Sequence, residues 1–217
     1  PPGAYAAVPA LVEAGFDWHH AKAAAGGEAG YALLVMWLAE GEKSRIPSYP
    51  TTQIGVGGLV LSGDSRVLLV QEASARAPRK WKLPGGLMDP GEDLVDAVAR
   101  EVFEETGVRA EAEGVLCIHH RHGYRHGVSD MYLTMQMRAD SLEVKPCASE
   151  IHDVTWMPLA EAVESPDVME FNRRLLRLAI APSPLLMPSF GRHGSASAKA
   201  DFFVYTPSAA AMEPKSE

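Results

Sequence analysis

Glu101, Glu104 and Glu105 stand within five residues of one another, and that spacing decides what they can do together. On a helix, Glu101 meets Glu104 at i+3 and Glu105 at i+4, so three carboxylates share one face within a turn. The same helix carries an apolar stripe of Leu94, Val95, Val98 and Val102. Glu101 lies two turns after Leu94, and Glu105 two turns after Val98, so the acids encroach on the edge of the buried side. Two carboxylates about 6 Å apart in an effective dielectric near 20 repel by roughly 3 kcal/mol, which calls for a counter-charge. Mg2+ or Mn2+, hard cations suited to oxygen ligands, would supply it. The competing reading is an acidic, solvated face.

The flanking residues are of the kinds needed to position such a face. Leu83-Pro84-Gly85-Gly86 ends a strand with two glycines that let backbone approach a ligand. Asp89-Pro90-Gly91-Glu92 reads as a turn with Pro and Gly at its centre. Asp93, with Asp96 three residues on, reads as an N-cap and a short capping box, and Gly107 is placed to stop the helix.

Residue for residue, Gly86 to Val108 resembles the Nudix box, G-x5-E-x7-R-E-U-x-E-E-x-G-U with U aliphatic. Gly86, Glu92, Arg100, Glu101, Val102, Glu104, Glu105, Gly107 and Val108 fill all nine specified positions. The likeness spans Thr51 to Ala181 and implies an α+β fold. That fold is a Nudix α/β/α sandwich with a mixed sheet and a catalytic loop-helix-loop. The resemblance also implies hydrolysis of a nucleoside diphosphate linked to another group, with Mg2+ or Mn2+ held by Gly86 (through its carbonyl), Glu92, Glu101, Glu104 and Glu105. In the catalytic group, Arg100 orients its neighbouring glutamate, and Glu101 or Glu150 acts as base.

Around this centre the pattern reads as three stretches: a pre-Nudix segment over 1–49, a Nudix domain over 50–181 and a Pro/Ser-rich tail over 182–217. In the first stretch, a short helix near Pro9 and a strand over Tyr31 to Leu38 are expected. Trp18 reads as a packing residue, and His19 and His20 as hydrogen-bonded or surface groups. This α/β segment is too short for a core of its own. Together with Gln53-Ile54-Gly55-Val56-Gly57-Gly58, it resembles the Nudix branch of plant ADP-ribose/NADH pyrophosphatases and the animal protein encoded antisense to basic fibroblast growth factor. The region before the Nudix domain is longer in that branch, so the segment is expected to be truncated. The branch also raises a homodimer.

Two strands are expected around Ser62-Gly63-Asp64-Ser65, followed by a basic loop from Glu72 to Lys80. Arg79 in that loop could clamp phosphate or sit in solvent, and Trp81 could stack on a ligand or pack in the core. Past the box, His119-His120-Arg121-His122-Gly123-Tyr124-Arg125-His126 gathers four histidines, two arginines and a tyrosine. Arg121, Tyr124 and Arg125 are candidates for phosphate, ribose or base contacts; zinc binding and a merely polar loop are the other readings. Ser129 to Arg138 alternates as a half-buried strand with a methionine stripe. Phe171 to Ile180 reads as an amphipathic helix through Phe171, Leu175, Leu178 and Ala179. The tail reads as mostly irregular, with a strand at Phe202 to Tyr205.

A net charge of −8 argues against a nucleic-acid backbone as partner. It allows a small nucleotide diphosphate, because bound cations reverse the local field. No apolar run approaches a membrane-spanning length, and two cysteines without CxxC point to a reducing, cytoplasmic setting. The chain opens at Pro1 instead of Met, so a leader to an organelle could precede it. The expected reaction is metal-dependent splitting of ADP-ribose or NADH to AMP plus ribose 5-phosphate or NMNH. The alternatives are a nucleotide-binding scaffold with little turnover, or a hydrolase of coenzyme A or dinucleoside polyphosphates.

Overall fold

The computed structural model describes residues 5–24, 27–50, 52–73, 79–123, 125–180, 186–192 and 201–207. The chain divides into two compact units, Pro1–Thr51 and Thr52–Glu217.

In the first unit, a 3-10 turn (Tyr5–Ala7) leads into α1 (Val8–Glu13), which has a proline in its opening turn and buries none of its residues. Gly15, at φ +93°, ends it, with Gly15 N donating to Val12 O and Phe16 N to Leu11 O. An antiparallel pair follows, β1 (Asp17–Lys22) and β2 (Tyr31–Val35), with a bulge between Trp18 and His20. β2 stops at Val35, short of the expected Leu38. Trp18 is 60% exposed, so it does not pack as expected.

The two histidines are hydrogen-bonded, and with both rings neutral the Pro47 carbonyl sets the donor and acceptor roles. His19 Nε2 can only donate to the Pro47 carbonyl (2.8 Å), which leaves its Nδ1 to accept from His20 Nδ1 (2.7 Å). His20 Nε2 then accepts from the Tyr31 hydroxyl at 3.2 Å.

The second unit is built on an eight-stranded mixed sheet. It contains β3 (Thr52–Leu61), β4 (Arg66–Glu72), β5 (Gly85–Leu87), β6 (Ala110–Arg121), β7 (Ser129–Ala139), β8 (Ile151–Pro158), β9 (Leu186–Arg192) and β10 (Asp201–Pro207). The strand order is β10-β9-β6-β7-β3-β4-β8, with β5 also paired to β3. β3 and β7 run parallel from Thr52↔Ser129 to Leu61↔Arg138, and the remaining pairs are antiparallel. The helices are α2 (Leu94–Thr106), α3 (Leu159–Glu164) and α4 (Glu170–Ile180).

Alternation along β3 assigns the two faces. Val56 and Val60 join Val98 and Val102 of α2 and Leu133, Met135 and Met137 of β7 in one core. Leu59 joins Val67, Leu69, Ala162, Val163, Leu175 and Leu176 in the other, under α3 and α4. Helices on both faces of a mixed sheet make the expected α/β/α sandwich. Among the described residues, no helix is long and apolar enough to cross a membrane.

Several expectations need correction. The expected strand at Phe202 to Tyr205 is found within Asp201–Pro207, but it pairs antiparallel with a second strand, Leu186–Arg192, where irregular chain was expected. On β7 the polar side is buried at Asp130 and Thr134, while Arg138 stays exposed. On α4 the buried positions are Asn172, Leu175 and Leu176, whereas Phe171 and Leu178 are exposed. Asp93 is the N-cap of α2 in extended conformation, but its carboxylate makes no capping bond, so the expected capping box does not form.

Candidate functional site

Glu101 and Glu105 of α2 face a cavity of about 670 Å3, lined also by Gly86, Arg121, Asp130 and Glu150 among others, whereas the exposed Glu104 does not line it. Backbone geometry accounts for the approach. β5 lies antiparallel on β3 (Gly57↔Gly85, Val56↔Gly86), and Gly85 has φ +148°. A Cβ on Gly85 would sit 2.2 Å from the Val56 carbonyl oxygen, and one on Gly86 would sit 2.5 Å from Glu101 Oε2. At Gly85, where the obstacle is backbone, only glycine lets this strand lie so close. Gly85 N donates to Glu105 Oε2 at 2.8 Å.

Arg100 organises the acidic face. Its Nε and Nη2 grip the two oxygens of Glu92 at 2.8 and 2.9 Å, and Nη2 also donates to Leu87 O. Its Nη1 donates to Glu101 Oε1 (2.9 Å) and Glu104 Oε2 (3.1 Å). A planar five-donor fork is what lets one side chain serve three carboxylates. The hydrogen bond from Arg100, helped by the Asp89 N–H, holds the Glu92 carboxyl down at about 2. Glu92 thereby ties the turn, in which Glu92 N donates to Asp89 O, to the helix.

Burial acts the other way on the remaining acids. Glu105, 6% exposed, has its pKa pushed up to about 7 by desolvation, only partly offset by Lys82 and the Gly85 N–H. Glu101 is raised by desolvation as well, against the pull of Arg100, with Glu104 and Glu150 adding repulsion. Lys82 Nζ lies 2.8 Å from Glu72 and 3.8 Å from Glu105.

Glu150 reaches the cavity from the loop after β7. That loop is fastened to the end of α2, with Lys145 N donating to Thr106 O (2.7 Å) and Cys147 N to Glu105 O (3.2 Å). Gly107, at φ +73°, ends the helix as expected and leaves room for Lys145, whose backbone N would be 3.1 Å from a Cβ there.

The oxygen-only set of Glu101, Glu104, Glu105 and Glu150, in which Glu105 is buried and Glu101 half-buried, fits a hard divalent cation. Among the described residues, no three acids, histidines or cysteines are gathered as a ready ligand cluster, and Arg100 is paired with Glu101 and Glu104.

Of the other candidates, Arg121 lines the cavity and is paired with Asp130 through Nε (3.2 Å) and Nη2 (3.0 Å). Arg79 is exposed, near His152, and Trp81 is half-buried against the α3/α4 core; neither lines this cavity. Tyr124 and the Arg125 side chain lie outside the described residues.

Sequence reasoning missed Asp130, Gln53, Lys82 and Tyr132. Asp130 is 2% exposed, and Gln53 Nε2 donates to it at 2.8 Å. Asp130 is the one acid of β7, a signal visible in the sequence but uninterpretable without its partners. Tyr132 lies over Gly55 and Gly57, where added Cβ atoms would meet its ring and hydroxyl at 2.6 and 2.5 Å.

The NUDIX domain family profile matches residues 51–179. The chain is 38% identical over 168 residues to Nucleoside diphosphate-linked moiety X motif 6 of Mus musculus, covering 76% of this chain and 51% of that protein. It is 38% identical over 161 residues to Nudix hydrolase 8 of Arabidopsis thaliana, covering 73% and 42%. The chain thus spans about half the length of these relatives. Among solved structures it is similar to the MutT Nudix hydrolase from Burkholderia pseudomallei, with 25% identity, TM-score 0.50, and coverage of 58% of this chain and 97% of that one. With an intact nine-position box, the expected sandwich and a family match over more than half its length, the chain belongs to the Nudix hydrolase family.

Proposed function

We propose that this cavity hydrolyses the pyrophosphate bond of a nucleoside diphosphate derivative in a reaction that requires Mg2+ or Mn2+. The proposed substrates are ADP-ribose and NADH, giving AMP plus ribose 5-phosphate or NMNH. The observation that carries the reading is the convergence of Glu101, Glu105 and Glu150 on one cavity that also holds the cationic Arg121 and Lys82. The choice of ADP-ribose and NADH rests on the likeness to the branch named above.

Glu101, Glu104 and Glu105, with the Gly86 carbonyl and Glu150, would hold the cation, and Glu92 supports the loop through Arg100. When bound, the cation supplies charge neutralisation at the diphosphate and a more acidic water. Arg121, aimed by Asp130, donates to a phosphate oxygen. Arg100 fixes the Glu101 carboxylate, and a carboxylate oxygen of Glu101 or Glu150 accepts the proton of the attacking water. The burial that disfavours ionised Glu101 also makes it a better proton acceptor.

The test is phosphate-ester release from ADP-ribose, NADH, coenzyme A, dinucleoside polyphosphates and diphosphoinositols, with Mg2+, with Mn2+ and with EDTA. Cleavage of ADP-ribose or NADH only with metal is expected, and Glu101→Gln should lower turnover by about 100-fold or more without unfolding the protein. Glu104→Gln should likewise abolish turnover. Turnover in EDTA, or full activity of either variant, would defeat the proposal; tight metal-independent binding without product would instead mark a scaffold.

A further inference from the structure

The first unit holds a histidine cluster that the diphosphatase reading leaves unused. His19 and His20 are neighbours on β1, and neighbours on a regular strand point to opposite faces. The bulge between Trp18 and His20 breaks that alternation and brings the two imidazoles together. Their Nδ1 atoms come within 2.7 Å, with ring centroids 4.9 Å apart.

Each outer nitrogen is already held. His19 Nε2 donates to the Pro47 carbonyl (2.8 Å), and His20 Nε2 meets the Tyr31 hydroxyl (3.2 Å). The Tyr49 ring lies flat on the His20 ring, with 4.5 Å between centroids and 7° between planes, and Tyr31 meets it edge-on at 5.5 Å. Both histidines are half-buried. Two imidazoles fixed in this way, each with its far nitrogen tied to an oxygen, have the outer support that metal-bound histidines use. In the neutral pair a single proton, on His20 Nδ1, lies between the facing nitrogens.

We propose that His19 Nδ1 and His20 Nδ1 chelate one divalent transition cation, Cu2+ or Ni2+ in preference to Zn2+. Imidazole nitrogens suit these ions and not Mg2+, so the site differs in chemistry from the carboxylates of α2. Two nitrogens 2.7 Å apart, each about 2.0 Å from a shared cation, subtend roughly 85°. Adjacent ligands in the tetragonal geometry of Cu2+ and Ni2+ stand at about that angle, whereas tetrahedral Zn2+ would need the nitrogens about 3.3 Å apart. Binding releases no proton: the His20 proton moves from Nδ1 to Nε2, and the Tyr31 hydroxyl changes from donor to acceptor. The Pro47 carbonyl keeps its bond from His19 throughout. Among the described residues no third acid, histidine or cysteine completes a cluster with them, so water fills the remaining positions. The cation would thereby fasten the bulge of β1 to the segment carrying Pro47 and Tyr49.

The experiment titrates the full chain with Cu2+ in excess Mg2+, which competes for carboxylate oxygens, and reads nitrogen hyperfine splitting by electron paramagnetic resonance. One Cu2+ per chain coupled to two imidazole nitrogens is expected, bound about tenfold or more tighter than Zn2+. His19→Gln, which can still donate to Pro47, and His20→Phe, which keeps the stack on Tyr49, should each weaken binding about tenfold or more. His120 and His122, whose rings meet with centroids 4.4 Å apart at the end of β6, supply the control, and replacing both by Ala should leave the signal unchanged. If a variant of the first unit fails to fold, the parent alone decides, because Cu2+ at this pair must broaden the ring proton signals of Tyr31 and Tyr49 first. Unbroadened Tyr31 and Tyr49 signals, two-nitrogen coupling that survives both substitutions, or its loss in the control would overturn the proposal.

Discussion

Glu105 makes the fold's stability depend on pH in a direction opposite to that of most paired carboxylates. Its pKa is raised from an ordinary 4.5 to about 7 by burial. Between those values the unfolded chain has released the proton that the folded chain still holds, so stability falls as pH rises through this window and levels off above it. At about 1.4 kcal/mol per pH unit, the rise corresponds to about 3 kcal/mol in metal-free protein. The contribution is present below pH 4.5 and lost by pH 8. Glu105→Gln keeps an oxygen for the Gly85 N–H and removes the ionisation, so the variant should lose that part of the pH dependence and exceed the parent in stability at pH 8. The assay is urea unfolding in EDTA at pH 4.5 and pH 8, followed by the methyl signals of Met135 and Met137, which are fully buried in this unit. If parent and variant show the same difference in unfolding free energy between the two pH values, the burial argument for Glu105 is wrong.

Gly85→Ala drives a Cβ into the Val56 carbonyl and should destabilise by about 2 kcal/mol or more, whereas Gly86→Ala meets only the Glu101 carboxylate and should leave thermal unfolding nearly unchanged while reducing turnover. Arg100→Lys loses the fork that joins Glu92, Glu101 and Glu104, and should cost about 2 kcal/mol in chemical denaturation and most of the activity. Asp130→Asn retains the Gln53 contact but removes the charge beside Arg121, so steady-state kinetics should show KM raised about tenfold with kcat little changed. A kcat loss with unaltered KM would contradict the positioning role of Asp130.

The helix and its flanks were legible because their signals are local. The Asp89-to-Glu92 turn, the Gly107 stop and the apolar stripe ending in Val102 each depend on residues within a turn or two, and each is found in place. The Arg121–Asp130–Gln53 group was not legible as a group. Gln53 and Asp130 are brought opposite one another by the parallel β3–β7 register, and no periodicity in either strand reports which partner it will take. Capping failed as an expectation because a side chain with the right identity need not turn toward the helix, and Asp93 does not. On α4 the apolar spacing through Phe171 and Leu178 competed with one through Leu175 and Leu176. The second prevailed because packing on Leu59 and Leu69 decides which side is covered. Proline and serine content concealed β9, whose pairing with the expected strand at Phe202 to Tyr205 is an inter-strand property that composition does not encode.

The two amides that cap the last turn of α2, those of Lys145 and Cys147, belong to the segment that carries Glu150. The helix end and the outlying acid are therefore joined through one short segment, so the backbone that carries Glu150 is anchored on the carbonyls of Glu105 and Thr106. Occupation of the cavity should accordingly slow deuterium uptake at Lys145 and Cys147, amides that touch no ligand themselves.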